Sequence, residues 1–251
     1  NFQGHECSLV AQIIGVKKST DTPQIPFLLK LLQAAQHRIF ISAQLISQLG
    51  DDGEDAYCFN INRPDIQTIA VFDGCGGAGA WKYPEFNNST GAFVAAQSIS
   101  KCYLSWFDEI SGQDISNSEY LAQSFRDTAE GVLLNLKKTC APMGISGSLV
   151  KAFPCTASAA LMTDSGDGSV EITALNAGDS RIYYLTGSDG LVLLTSDDSR
   201  GTADPLESLR TSPPLSNMLN ADKSYHVSVR KKVVAEPCVV LSATDGMFGY
   251  V

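Results

Sequence analysis

The sequence predicts an α+β domain with antiparallel sheets, because strand-like segments lie on both sides of two adjacent amphipathic helices. Short apolar runs occupy residues 38–72, two helical patterns follow between residues 93 and 138, and further strand-like runs end near residue 244. Strands segregated from paired helices are typical of α+β domains rather than of alternating α/β folds. The chain has 251 residues, 44% of them hydrophobic, which is enough for one large core.

The first half of the chain is predicted to contain one helix and three strands. QIPFLLKLLQAAQ, residues 24–36, has apolar residues at helical spacing and a proline suited to a first turn. RIFISAQLISQ and AYCFNI, from residues 38 and 56, are predicted strands on either side of an acidic turn. IQTIAVFDG, from residue 66, is apolar at consecutive positions, which predicts a central strand ending at Asp73.

The second half begins with two predicted helices. One runs from Phe93 to Ile110, and the other begins at a capping box of Ser116 and Glu119 and continues to Lys138. CTASAALMT, SVEITAL and RIYYL are then predicted strands of an antiparallel meander, with turns at SGDG and AGDSR and a further strand after SDG. Residues 199–223 are polar and rich in proline, which predicts a surface excursion, and residues 231–246 form a last apolar strand.

Composition and charge exclude several classes of protein. The formal net charge of −9 offers no basic face for nucleic acid, and no apolar stretch reaches the roughly 20 residues of a membrane span. The seven cysteines show no C-x-x-C spacing, so we expect their thiols to be reduced. Reduced thiols are typical of an intracellular protein, and we expect this one to be cytoplasmic. We expect residues 1–4 to be the remnant of a cleavage tag and residues 5–251 to form a single domain.

Acidic residues stand at the ends of several predicted strands. Glu54 and Asp55 precede one strand, Asp73 ends another in VFDG, and Asp245 ends the last in ATDG. If these strands are neighbours, the carboxylates converge on one rim of a sheet, where a following glycine exposes its carbonyl oxygen. Oxygen ligands suit Mg²⁺ or Mn²⁺, and two such ions can activate a water, which predicts a two-metal hydrolase. The alternative is that each Asp-Gly pair is simply a turn.

Six blocks stand in the order, and at the approximate spacing, of the metal-dependent protein serine/threonine phosphatases of the type 2C class, which the chain resembles. The blocks are GEDAYCF, IAVFDGCGG, CTASAALM, ALNAGDSRIYYL, LLTSDD and VVLSATDGMF. The resemblance implies a central β-sandwich of two antiparallel sheets flanked by helix pairs. It also implies two Mg²⁺ or Mn²⁺ ions and in-line attack of a water on phosphoserine or phosphothreonine. A phosphoprotein substrate or a regulatory protein is the implied partner.

The resemblance assigns roles to individual residues. Asp73 matches the aspartate that bridges the two metals, and Gly74 supplies a carbonyl ligand. Asp55 matches the acidic ligand of the first block, with Glu54 beside it, and Asp245 matches the later metal aspartate. Asp179 in GDSR matches a position that can help to bind an additional metal, although it can equally be a turn residue.

The chain departs from the family at positions that carry chemistry. Cys75 stands where the family has the histidine implicated in protonating the leaving group, and Gly50 stands where it has the phosphate-binding arginine. A thiol is a poorer proton donor than an imidazolium, and no bidentate guanidinium is available from position 50. Gly249 replaces a further aspartate, and we expect the domain to lack the family's final helix and strand.

Two functions follow from these departures. The first is an active phosphatase, in which Asp73 and Cys75 are the catalytic residues. The second is a pseudophosphatase that keeps the fold and serves as a binding or regulatory scaffold. A cysteine-nucleophile phosphatase built on Cys75 is disfavoured, because its phosphate loop needs an arginine and Asp73 lies two residues away.

Overall fold

Two five-stranded sheets pack face to face in the computed structural model of this protein. The structure describes residues 53–63, 65–141, 150–165, 167–198 and 215–247, together with the backbone of strands β1 (Leu9–Ile14) and β2 (Ile39–Gln44). The helix predicted at residues 24–36 lies outside the described residues. No helix in the described part of the chain is long and apolar enough to cross a membrane.

The first sheet is antiparallel throughout. It contains β3 (Ala56–Asn60), β4 (Ile66–Phe72), β7 (Ala157–Asp164), β8 (Val170–Ala177) and β11 (Ser228–Val234). Their order is β11-β8-β7-β4-β3. β4 and β7 therefore lie inside the sheet, which agrees with the apolar run from Ile69 to Phe72 in β4.

The second sheet mixes antiparallel and parallel pairs. It contains β9 (Arg181–Thr186), β10 (Gly190–Leu193) and β12 (Cys238–Ala243) in the order β10-β9-β12-β1-β2. β9 is antiparallel to β10 and β12, whereas β1 is parallel to both β12 and β2. The predicted α+β sandwich is confirmed, and the parallel pairs of β1 are a feature that the sequence pattern did not indicate.

Two predicted strand connections differ in the structure. The predicted meander breaks after β8, because β8 and β9 belong to different sheets and the AGDSR link crosses between them. The single strand predicted for residues 231–246 is two strands, β11 and β12, which also lie in different sheets. Pro237 separates them, and proline cannot donate a hydrogen bond to a sheet ladder.

The space between the sheets is filled by side chains from both inner faces. β4 contributes Ile69 and Val71, which are buried with Met162 of β7, Ile182 of β9 and Val240 of β12. Alternate residues of β4 face the other way and pack beneath the helices. β4 is therefore buried on both faces, and the position of Asp73 at its end is fixed by packing on two sides.

The helices form a layer over the outer face of the first sheet. They are α1 (Gly76–Gly79), α2 (Gly91–Glu109), α3 (Gly112–Ser116) and α4 (Ser118–Thr139). The remaining short elements are β5 (Lys82–Tyr83), β6 (Ser89–Thr90) and two 3-10 turns at Pro84–Phe86 and Asp245–Met247. Tyr103 and Trp106 of α2 pack against Phe125 of α4 with ring centroids 5.3–5.6 Å apart. Burying each such ring stabilises the fold by about 1.5–3 kcal/mol.

The start of α4 corrects one prediction. Ser116 is the last residue of α3 rather than the cap of α4. The capping box belongs to α3, where Ser111 accepts a hydrogen bond from the Asp114 N–H and Asp114 accepts one from the Ser111 N–H. Asn117 caps α4 by accepting a hydrogen bond from the Tyr120 N–H. Both S-x-x-D/E spacings can cap a helix, and only the break at Asn117 decides between them.

Candidate functional site

The register of the first sheet places two of the predicted carboxylates side by side. β3 and β4 are antiparallel, with Ala56 opposite Phe72. Asp55 comes just before β3 and Asp73 just after β4, so the two aspartates continue this pairing at the rim of the sheet. Their proximity is a direct consequence of strand register, since a shift of one residue would turn one of them to the opposite face.

The second sheet brings two more aspartates to the same rim. β9 and β12 pair with Arg181 opposite Ala243. Asp179 lies just before β9 and Asp245 just after β12, so both follow this pairing out of the sheet. Four of the predicted site residues therefore come together, although they are separated by up to 190 positions in the chain.

Asp73 is the centre of this cluster. Its carboxyl group is within hydrogen-bonding distance of the carboxyl groups of both Asp55 and Asp245. Thr244 Oγ1 donates a hydrogen bond of 3.1 Å to Asp55 Oδ2. The backbone of Asp73 is held by Thr156, whose Oγ1 accepts from the Asp73 N–H at 3.2 Å and whose N–H donates to Asp73 O at 2.8 Å. We name Asp55, Asp73, Asp179 and Asp245 the carboxylate cluster.

The surroundings of Asp55, Asp73 and Asp179 disfavour negative charge on these three side chains. Burial, followed by the charges of Asp55 and Asp245, raises the pKa of Asp73 well above its usual value. Burial also raises the pKa of Asp55, and hydrogen bonds from Asp73 and Thr244 only partly offset this effect. Burial and the charge of Asp245 raise the pKa of Asp179 to about 6. Added positive charge would therefore be strongly favourable here.

Glu54 lies beside the cluster but is directed toward the helices. Its Oε1 accepts a hydrogen bond from Thr90 Oγ1, and Thr90 also caps α2 by accepting from the Phe93 N–H at 3.2 Å. A Cβ atom added at Gly76 would overlap Glu54 Oε2, so a larger residue at position 76 would displace this carboxylate. Glu54 therefore joins the start of β3 to the first turn of α2.

Gly74 and Cys75 follow Asp73 in a tightly packed loop. Gly74 pairs with Cys155 in an antiparallel bridge. Its hydrogen bonds run from the Cys75 N–H to Pro154 O and from the Thr156 N–H to Asp73 O, so the Gly74 carbonyl takes no part in them. Burial, then Cys155 and the nearby carboxylates, raises the pKa of the Cys75 thiol well above its usual value. Cys75 is therefore a neutral thiol without the thiolate character of a nucleophile, which argues further against a cysteine-nucleophile mechanism.

A cavity of about 740 Å³ opens onto the cluster. Asp73, Asp179 and Asp245 line it together with residues 74–78 of the glycine loop. The opposite wall contains residues 215–218, and two lysines, Lys151 and Lys223, also reach the cavity. No arginine of the described chain lines it.

The chemistry of the cluster fits a hard divalent cation. Among the described residues, no three Asp, Glu, His or Cys side chains are spaced to hold an ion as they stand. The donors are all oxygen atoms, and their mutual repulsion is relieved only by protons or by cations. Asp55, Asp73, Asp245 and the Gly74 carbonyl are the groups that could hold Mg²⁺ or Mn²⁺.

Asp198 supports the site, and sequence reasoning gave it no role. Its Oδ2 accepts hydrogen bonds from the Gly178 N–H at 3.0 Å and from Asn217 Nδ2 at 2.6 Å, and its backbone N–H donates to Gly178 O at 2.9 Å. It thereby ties the turn that carries Asp179 to the cavity wall at residues 215–218. Only its place in the block LLTSDD pointed to it, and that pattern alone does not reveal a hydrogen-bonding hub.

Replacing Asp198 with alanine is expected to destabilise the protein by about 2–3 kcal/mol, because the buried Gly178 N–H loses its acceptor and the Asn217 amide keeps only its bond to His226 O. Urea unfolding measures this difference. Asp127→Ala is the control, since the Asp127 side chain is 56% exposed and its removal is expected to change stability by less than about 0.5 kcal/mol. Equal effects of the two substitutions would contradict the assignment.

Solved phosphatases share this fold. The serine/threonine phosphatase Stp1 from Staphylococcus aureus matches with a TM-score of 0.54 and 22% identity, over 76% of this chain and 69% of that chain. A phosphatase from Toxoplasma gondii has a TM-score of 0.54 and 11% identity, over 80% and 70% of the two chains. The catalytic domain of the serine threonine protein phosphatase PstP, solved with 2 manganese ions, has a TM-score of 0.50 and 16% identity, over 79% and 74%.

These similarities define the fold of the protein. It is the fold of the PPM, or type 2C, serine/threonine phosphatases, as the six sequence blocks indicated. No protein-family model matches the sequence, and no curated protein is similar enough in sequence to be matched.

Proposed function

We propose that this protein is a metal-dependent phosphatase that hydrolyses phosphoserine and phosphothreonine in proteins. The observation that carries the proposal is the convergence of Asp55, Asp73 and Asp245 at one rim of the sandwich, where Asp73 and Asp245 line an open cavity. The raised pKa values of Asp55 and Asp73 describe a site that favours bound positive charge. The presence of two manganese ions in PstP, which has the same fold, supports two Mg²⁺ or Mn²⁺ ions as the cofactor.

Each residue of the site has a task in this proposal. Asp73 and the Gly74 carbonyl would hold the cations at the end of β4, and Asp55 before β3 and Asp245 after β12 would complete the ligand set. When bound, the metal would polarise the phosphate and lower the pKa of a water for attack on phosphorus. Thr156 keeps Asp73 in place through its two hydrogen bonds to the backbone. Asp179, beside Asp245, is proposed to contribute to an additional metal or to orient its neighbours.

Cys75 is proposed to limit the rate. The leaving oxygen of a serine or threonine must gain a proton, and a thiol with a raised pKa is a weak donor. The protein is then a slow enzyme with an intact metal site. The same observation, together with the lack of a cavity-lining arginine in the described chain, favours the second candidate, a pseudophosphatase that binds phosphoproteins or regulatory partners without turnover.

Hydrolysis of para-nitrophenyl phosphate with and without millimolar Mn²⁺ tests the proposal. We expect turnover that requires Mn²⁺ and that Asp73→Ala abolishes. No turnover by correctly folded protein that still shows a Mn²⁺-dependent rise in melting temperature would instead support the pseudophosphatase.

The role of Cys75 is tested with Cys75→His and two substrates. A nitrophenolate can leave without gaining a proton, whereas a serine alkoxide needs one. We therefore expect Cys75→His to raise kcat by about 10-fold or more for a phosphoserine peptide and much less for para-nitrophenyl phosphate. Cys75→Ala is the matched control, and we expect it to stay close to the wild type. Equal gains on both substrates would argue that the histidine acts in some way other than proton donation.

A further inference from the structure

Two lysines face the same cavity from opposite sides of a short antiparallel pairing. Cys155 and Leu219 form a β-bridge with two hydrogen bonds of 3.0 Å. Lys151 lies four residues before Cys155, and Lys223 lies four residues after Leu219, so the register of the bridge places the lysines across from each other. Both line the cavity that contains Asp73, Asp179 and Asp245.

The two segments are held in this arrangement by further bonds. The Ala221 N–H donates to Ala152 O at 2.9 Å, and the Ala152 N–H donates to Asp222 Oδ2 at 2.6 Å. The Lys151 N–H donates to Ala78 O at 3.0 Å, which joins the same segment to the glycine loop. The positions of the lysine backbones are therefore fixed relative to the carboxylate cluster.

The local charges favour a bound anion. Like charges opposite each other on paired strands destabilise the pairing unless a counter-ion lies between them. Asp222 is the acidic residue beside the pair, and its Oδ1 already accepts a hydrogen bond of 2.6 Å from Lys137. Lys137 and Lys151 thus both interact with one carboxylate. Lys151 Nζ donates a hydrogen bond of 3.3 Å to Val150 O.

Apart from these two lysines, the described residues that line the cavity include no cationic side chain that could bind a phosphate. The described arginines are engaged elsewhere: Arg63 with Asp65, Arg126 with Asp127, Arg181 with Asp197 and Arg230 with Ser196. Position 50, where related phosphatases have an arginine, is glycine. A phosphate monoester in this cavity would meet Asp73, Asp179 and Asp245, the cations that the cluster could hold and the two lysines.

We propose that Lys151 and Lys223 bind the non-bridging oxygens of the substrate's phosphoryl group. This inference rests on the proposed function, because it assumes that the cavity receives a phosphate ester. Lysine is a flexible point charge without a bidentate fork, so it would attract the phosphate while fixing its orientation less firmly than arginine. The two positions together replace the single guanidinium that the chain lacks at position 50.

Binding of inorganic phosphate to the Mg²⁺-loaded protein, measured by calorimetry, tests the inference without requiring turnover. We expect Lys151→Met and Lys223→Met each to weaken phosphate binding by about 3- to 10-fold, and the double substitution to weaken it further. Lys151→Arg is expected to retain the wild-type affinity. Lys138→Met removes the same charge from the exposed surface of α4 and is expected to leave phosphate affinity unchanged.

Kinetics separates this inference from the proposed function. If the wild type hydrolyses para-nitrophenyl phosphate, we expect the double substitution to raise KM in parallel with the loss of phosphate affinity. Phosphate affinity that is unchanged in the double variant would overturn the role of the lysines and leave the phosphatase intact. Lysine-dependent phosphate binding without turnover would support the lysines and refute the enzyme. A wild-type protein that binds no phosphate would refute the inference. It would also be refuted if the lysine substitutions weakened binding only of phosphopeptides with acidic flanking residues, because the lysines would then bind peptide carboxylates.

Discussion

Asp73→Asn is expected to raise the melting temperature of the metal-free protein and to abolish both its stabilisation by Mn²⁺ and its turnover. Burial and the facing carboxylates of Asp55 and Asp245 raise the pKa of Asp73, so the ionised side chain destabilises the fold at neutral pH. Asparagine has nearly the same shape without the charge. A gain of about 1 kcal/mol would raise the melting temperature by roughly 2–4 °C in a chain of this size.

The pH dependence of this gain has a definite sign. A carboxyl group with a raised folded-state pKa favours the native state at low pH and loses that contribution as the pH rises through the folded-state value. The difference between Asp73→Asn and the wild type should therefore be largest near pH 7 and shrink toward pH 4. Differential scanning calorimetry without metal at several pH values measures it.

The control for Asp73→Asn is Asp127→Asn on the exposed surface of α4, where no comparable gain is expected. Adding Mn²⁺ should stabilise the wild type and the control by mass action and leave Asp73→Asn unchanged. A variant that still responded to Mn²⁺ would remove Asp73 from the metal site. A metal-free variant less stable than the wild type would show that the carboxylate makes a favourable contact that outweighs its desolvation.

Gly178→Ala is expected to cost about 2–4 kcal/mol of stability and to weaken metal binding. Gly178 has φ = +107°, a conformation that side chains other than glycine rarely adopt, and an added Cβ would lie 2.6 Å from Thr156 Cγ2. Relief of this overlap would displace Thr156, which holds the backbone of Asp73. One methyl group is thus expected to disturb both the turn before Asp179 and the end of β4.

Gly168→Ala separates the two causes of that loss. Gly168 has a similar φ of +96° in the β7–β8 hairpin, but an added Cβ there meets nothing within 4 Å. It should show only the conformational cost, about 1–2 kcal/mol, with metal binding unchanged. Urea unfolding and Mn²⁺ titration of both variants make the comparison. Equal losses of stability in the two variants would contradict the proposed clash with Thr156.

The amino-acid sequence was sufficient to predict much of the first sheet and of the helix layer. The uninterrupted apolar run of β4 identified a strand buried on both faces, and the helical spacing from Phe93 to Ile110 matched α2 within two residues. These patterns are local, because they record which side of each element faces the core. Local spacing was less reliable at helix ends, where Ser111 and Asn117 are the caps instead of Ser116.

The pairing of distant segments required the structure. The sequence does not reveal that β8 and β9 diverge into different sheets, or that β1 runs parallel to its neighbours, since either arrangement buries the same residues. The positions of Asp55, Asp73, Asp179 and Asp245 at strand ends, together with the family resemblance, identified them as site residues. Only the packing of the two sheets brings them together.

The sequence by itself thus determined the composition of the protein's site, and the tertiary structure determined its electrostatics. Carboxylates next to glycines at strand ends can be recognised because each is a local signal. Asp198, Lys151 and Lys223 carry no such signal, and they reach the site only through the pairing of residues 152–155 with residues 219–222 and through the turn at Gly178. Burial and the distance between charges set the pKa of each group, and both depend on contacts between segments far apart in the chain.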